Sequence, residues 1–251
     1  MTLFALGTAI VLFTVAAPVQ FGEQAWAAVI WAAEAAALTW LAIRTGMVFF
    51  RWAGYAVFFI TAFRLLIVDT GVTLATFTPV LNHRFLAFAV GIAAMYLAGY
   101  FIAKGRGRLL GTEARAAVPV FFIAASFFTL WLFTAEILNT FDKALLNRGE
   151  YYRVYGQGTV LRNLQNLSIT ALWAVYAIGA LVVGILRRVR FLRLAALVLL
   201  LIAIGKVFVY DVFNLAMVYR IIAFTGLGLL LIAAGYLYQR YRTRIVTFLK
   251  E

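Results

Sequence analysis

Cysteine is absent, histidine occurs once, at His83, and charged residues make up only 12% of the chain. The first absence excludes disulfides, thiolate metal sites and cysteine nucleophiles. A single histidine cannot build a His-paired metal site, and no obvious nucleophile stands near His83 in the sequence to make a Ser-His arrangement. Short alternating strands of about 10 residues, which a transmembrane barrel requires, are missing as well.

What is present is apolar. Two-thirds of the 251 residues are hydrophobic and the mean hydropathy is +1.00. Soluble domains hold about 45–50% apolar and about 25% charged residues. A chain of this size cannot hide so much apolar surface from water, so its solvent is lipid. Several windows approach the roughly 20 residues that cross a bilayer. The expected fold is therefore all-α, a polytopic transmembrane bundle of about eight helices in one membrane domain covering residues 1–251.

The expected spans are approximately 3–20, 24–43, 49–68, 84–103, 117–138, 167–186, 191–210 and 220–238. The first lacks the basic stretch that precedes a signal peptide's apolar run and reads as a retained helix. Pro119 is expected in the first turn of the fifth span, where a missing N–H is tolerated, and Pro79 in a loop.

The net charge of +13 would suggest nucleic acid in a soluble protein. Here the cations sit in short turns such as KGRGR (104–108) and RRVR (187–190), whose side chains reach headgroups. Nucleic acid is therefore not an expected partner; the lipid bilayer is. With the N-terminus inside, one side collects Arg44, Arg51, Lys104, Arg106, Arg108, Arg115, Arg187, Arg188, Arg190, Arg193, Arg240, Arg242, Arg244 and Lys250. These are 14 of the 22 Lys and Arg residues. The positive-inside rule then predicts both termini in the cytoplasm.

The chain also repeats itself. An offset of 142 places Trp31 on Trp173, Arg51 on Arg193, Arg64 on Lys206 and Asp69 on Asp211. After a loop of different length an offset of 136 places Arg84 on Arg220 and Ala98-Gly99-Tyr100 on Ala234-Gly235-Tyr236. The coincidences of polar, Gly and Trp residues predict two four-helix repeats, approximately 1–104 and 115–244. An even helix number makes them parallel, related by an axis along the membrane normal.

Each copy carries one charged constellation: a basic residue at a helix end, an Asp five positions on, and an Arg opening the next helix. These are Arg64, Asp69 and Arg84, and then Lys206, Asp211 and Arg220. On the predicted topology all six lie near the outer face. Five positions on a helix correspond to a rotation of roughly 140°, so pairing is expected across helices, Asp69 with Arg84 and Asp211 with Arg220. Two readings stand: an interhelical clamp, or an outward cavity whose cations hold an anionic group.

Glu34, in WAAEAAALTW, falls about halfway along its span, where a carboxylate is costly. Its counterpart is Tyr176, so one copy alone has the acid. It reads either as a neutral acid hydrogen-bonded to a neighbouring helix or as a proton-coupling or substrate-binding group. Residues 141–166 are the one sizeable polar stretch, expected as an outer connector with tyrosines at headgroup level, or as a lid.

Residues 168–241 closely resemble the C-terminal part of the bacterial DUF2339 family of predicted membrane proteins. Lys206-Val-Phe, Asp211, Tyr219-Arg220 and the Gly-rich helix after them carry the resemblance. WAAEAAALTWLAIR (31–44) is similar to that family's Trp-Ala-x-Glu helix. The resemblance implies a multi-pass protein of the bacterial inner membrane whose activity is unassigned. Three functions are weighed: a transporter or flippase for an anionic or lipid-linked, glycosylated envelope component; a non-catalytic scaffold with membrane-protein partners; and, less supported, an enzyme at the outer leaflet using Glu34, Glu136, Asp69 or Asp211. No cofactor and no metal is expected.

Overall fold

The computed structural model describes residues 2–21, 25–105, 111–147, 157–187, 189–211, 213 and 217–249. Every regular element among them is helical. In lipid a backbone must satisfy its own hydrogen bonds, and an apolar helix does so within one segment. The order is α1 (Thr2–Phe21), α2 (Trp26–Thr45), α3 (Val48–Ile67), α4 (His83–Lys104) and α5 (Gly111–Asn147). Then follow α6 (Gln157–Leu186), α7 (Arg190–Lys206), a π turn at Val207–Asp211 and α8 (Met217–Leu249). Six of these hold segments long and apolar enough to cross a membrane, while Gly7–Gln20 and Met217–Ala233 are shorter apolar stretches.

Several boundaries depart from expectation, and the last helix runs on to Leu249, past the expected end of its span at 238. α5 begins at Gly111, so Pro119 lies inside the helix and not in its first turn. Ala-rich, amphipathic sequence before Pro119 extends the helix beyond the apolar window that defined the span. The expected connector 141–166 is helical over 141–147 and 157–166. Its tyrosines Tyr151, Tyr152 and Tyr155 lie outside the described residues.

The chain divides into two compact units, Met1–Ala135 and Glu136–Glu251, with the division inside α5. In the first unit α2 packs against α1, α3 and α4. It can do so because its buried positions are small: Ala27, Ala28, Ala32 and Ala35 are completely buried. Small side chains let helix backbones approach where lipid provides no hydrophobic drive between helices. Gly54 of α3 meets α2 most closely; a Cβ there would lie 3.0 Å from Thr39 Oγ1 and 3.3 Å from Thr39 N. Phe121 and Phe128 of α5 close this core against Phe58 and Phe88, with ring centres 4.9 and 6.0 Å apart.

Two caps fix the ends of these helices. Gly46 adopts φ +70° after α2, and its N–H returns to Ala42 O. Asn82 opens α4, its side-chain oxygen accepting from Phe85 N at 2.7 Å. Hydroxyls inside the apolar segments bond back to their own helices, as Thr39 does to Ala35 O and Thr61 to Val57 O.

In the second unit α6 packs on α7 and α8. Ala174 and Ala177 of α6 and Ala196 and Ala203 of α7 are buried. The α6–α7 turn is tight: Val189 N–H reaches Gly184 O at 2.9 Å. A Cβ on Gly184 would stand 3.0 Å from Arg193 N. At the other end of α6, Gln165 donates to Leu138 O at 3.0 Å and Arg162 bonds Asp142 at 3.0 Å. This clasp neutralises the polar residues that made the segment read as a loop.

Candidate functional site

The charged residues of the first constellation come together at one end of the first unit. α3 ends at Ile67, and the chain turns so that Asp69 N–H donates to Arg64 O at 3.0 Å. Asp69 is thereby folded back over the last helical turn, and its Oδ2 lies 3.2 Å from Arg64 Nε. Both residues are buried. The expectation that a five-residue spacing keeps them apart is corrected: it assumed a helix running on to Asp69.

Arg64 also lies 5.6 Å from the Trp31 ring centre, a cation–π contact. Arg84, in the first turn of α4, is 3% exposed. Its Nη1 donates to Thr70 O at 3.2 Å, and its guanidinium carbon sits 5.6 Å from the Phe77 ring centre. Thr70 is itself fixed, donating to Leu65 O at 2.8 Å and accepting from Trp131 Nε1 at 3.3 Å. Burial pushes the Asp69 carboxyl above the usual carboxylate range, and the charge and hydrogen bond of Arg64 only partly offset that.

A groove of about 1000 Å³ opens here between the 68–82 loop and the start of α4. Asp69, Arg84, Asn82 and His83 line it together with Thr73 and Thr76. Its wall thus offers a guanidinium, a carboxyl, an amide, an imidazole and hydroxyls beside apolar side chains.

Glu34 is bonded to α1. Thr14 Oγ1 donates to Ile10 O at 2.8 Å and lies 2.9 Å from Glu34 Oε1, while Trp31 Nε1 donates to Thr14 O at 2.7 Å. Glu34 Oε2 is buried without a hydrogen-bond partner among the described residues. Trp31 therefore touches both the α1 contact of Glu34 and the Arg64–Asp69 pair. The residues link as Glu34, Thr14, Trp31, Arg64 and Asp69.

The second constellation is arranged differently. Lys206 ends α7, and its Nζ donates to Thr170 Oγ1 at 2.7 Å and to Asn166 O at 3.4 Å, both on α6. Its ammonium stands 5.5 Å from the Tyr210 ring centre. Asp211 closes the π turn, but its side chain lies outside the described residues, and so does its expected pairing with Arg220. Arg220 sits in the first turn of α8, half-buried. π turns inserted in membrane helices often accompany functional positions.

Hydroxyl partners were invisible to sequence reasoning: Thr14, Thr70 and Thr170 each receive or position a charged side chain. For Thr14 and Thr170 the signal that could have found them is a threonine in an apolar helix, which needs a polar neighbour in lipid; Thr70 lies in the turn after α3 and carries no such signal. Among the described residues no three His, Asp or Glu side chains converge as a metal site would require.

Long apolar helices whose buried charges lie mostly near their ends, with Glu34 and Glu136 as acids within candidate spans, define a polytopic α-helical membrane protein. The family model for "Predicted membrane protein (DUF2339)" matches residues 55–241, and the chain belongs to that family. No curated protein and no solved structure matches it.

Proposed function

We propose that the protein binds and moves an anionic or glycosylated envelope component, as a transporter or flippase. The observation that supports this most directly is the groove beside Arg84. Arginine donates two parallel hydrogen bonds to carboxylate or phosphate. The threonines and Asn82 supply the donors and acceptors that sugar hydroxyls use. Glu34, half-buried in mid-span and tied to α1, is the coupling carboxylate on this reading. On this reading the chain lies in the bacterial inner membrane with both termini cytoplasmic, and Lys206, Asp211 and Arg220 are the counterparts of Arg64, Asp69 and Arg84 in a parallel repeat.

Reconstituted full-length protein in vesicles tests it. Head-labelled anionic phospholipid and glycolipid probes are quenched from outside by a membrane-impermeant reductant. A transporter exposes label from the inner leaflet, and Arg84→Gln slows this by about tenfold, the loss expected for one charged hydrogen bond. Rates equal to protein-free vesicles for every probe would overturn the proposal.

One observation favours a second reading, a scaffold that docks other membrane proteins. Arg64 and Asp69 close on each other within the turn that ends α3, and a pair closed in this way fastens that turn and does not hold a ligand.

A further inference from the structure

The opposite end of α4 carries a second polar groove that the transport reading does not use. Lys104 lies about 30 Å along α4 from Arg84, by helix rise. A groove of about 510 Å³ opens there between the ends of α2 and α4, lined by Trp40, Ile43, Arg44, Tyr100 and Lys104 and closed by Gly105. The two helix ends approach closely because position 105 has no side chain: a Cβ would stand 2.6 Å from Ile43 Cγ2. Gly105 N–H returns to Phe101 O at 2.8 Å, which ends the helix with Lys104 turned to the same groove as Arg44.

Each cation rests on an aromatic ring. The Arg44 guanidinium carbon is 5.4 Å from the Trp40 ring centre, and Lys104 Nζ is 5.9 Å from that of Tyr100. No Asp or Glu lines the groove, and among the described residues neither cation has a carboxylate partner. Basic side chains at a helix C-terminus are favoured by the helix dipole alone. That preference places a cation at each end; it does not turn two cations from neighbouring helices onto one cleft. Two full positive charges outweigh the partial negative charge of the carbonyl ends.

Trp40 and Tyr100 are half-exposed, as rings at headgroup level are. A soluble anion would use only the charged end of such a cleft. A phospholipid would use both parts, its phosphate between the cations and its chains along the apolar helix faces below. We propose that this groove seats the phosphate of an anionic phospholipid, held by Arg44 and Lys104 with Trp40 and Tyr100 flanking it.

The test uses the full chain in nanodiscs of phosphatidylcholine doped with phosphatidylglycerol, read by lipid enrichment around the protein and by thermal unfolding. A basic residue near an anionic headgroup changes partitioning by roughly fivefold. Wild type should enrich phosphatidylglycerol, and Arg44→Gln/Lys104→Gln should lose roughly 25-fold of that preference. The charge-keeping variant Arg44→Lys/Lys104→Arg should retain most of it. No preference for phosphatidylglycerol by the wild type, or full preference in the Gln/Gln variant, overturns the proposal. Equal stabilisation of detergent-solubilised protein by millimolar inorganic phosphate would assign the groove to a soluble anion and overturn the lipid assignment.

Discussion

Arg64 and Asp69 form a buried ion pair with Nε and Oδ2 3.2 Å apart, made by the turn that ends α3 and not by a helix face. Its position decides its energetic meaning. Both groups leave water, and their attraction offsets that cost only in part, as the raised Asp69 carboxyl indicates. The pair therefore fixes the geometry of the turn more than it adds net stability. Trp31 beneath Arg64 and Asp69 in the groove wall both depend on that geometry.

Removing one partner should cost more than removing both. Arg64→Met should destabilise the protein by about 2–3 kcal/mol, because it leaves a buried carboxylate alone. Adding Asp69→Leu should recover at least about 1 kcal/mol of this. Reversible unfolding in mixed micelles measures the cycle. A double variant no better than Arg64→Met would show that the two side chains are not coupled.

Asp69 also makes stability depend on pH. Its folded-state carboxyl is raised from the usual 3.8 by burial. A raised acid binds its proton more tightly in the folded state. Its contribution is complete below the unfolded value and is lost as pH rises through the folded value. The unfolding temperature of wild type relative to Asp69→Asn should therefore fall as pH rises from below about 4. A rise with pH would mean that attraction to Arg64 dominates burial.

Spans α2 to α4 were legible within a few residues, because lipid thickness fixes helix length and hydropathy reports it directly. The start of α5 was not, since residues 111–116 are helical without being apolar enough to register. α6 begins ten residues before its expected start for a related reason. Arg162, Gln165 and Asp142 look like loop residues singly, yet they satisfy one another. The candidate site was legible as charges but not as contacts. Asp69 was misjudged by extending a helix past Ile67, and Thr14, which bonds Glu34, carries no charge to mark it in the sequence.

Close helix approach should make one glycine much less replaceable than another. At Gly54 a new Cβ meets Thr39 N at 3.3 Å and Ala35 O at 3.4 Å, which are backbone atoms that cannot move without separating α2 from α3. At Gly91 it meets Leu65 Cδ1 at 2.9 Å, the far end of a flexible side chain. Gly54→Ala should cost about 1–3 kcal/mol and Gly91→Ala distinctly less. The same micelle unfolding compares them, and equal costs would contradict the packing argument.

Charge counting predicts an orientation that topology reporters can check. Fusions after Gly105 and after Glu251 should report from the cytoplasm, and an insertion after Val80 from the other side. Periplasmic activity at Glu251 would invert the assignment. It would also place the Arg84 groove on the cytoplasmic face.

Glu34 separates a fastening from a coupling role. The Thr14 hydroxyl has one proton and two oxygens to satisfy, Ile10 O at 2.8 Å and Glu34 Oε1 at 2.9 Å. A carboxylic acid donating to Thr14, which then donates to Ile10 O, gives each contact a proton. Glu34→Gln keeps such a donor and the same shape, so its stability should stay within about 0.5 kcal/mol of wild type. Glu34→Ala should lose about 1–3 kcal/mol by emptying the contact with Thr14. The amide cannot carry a proton across a transport cycle. If Glu34 couples movement of substrate, Glu34→Gln should fold normally and abolish pH-driven label exposure in the vesicle assay. Normal exposure in a well-folded Glu34→Gln protein would leave Glu34 as a strut between α1 and α2, and the coupling group would have to be another acid.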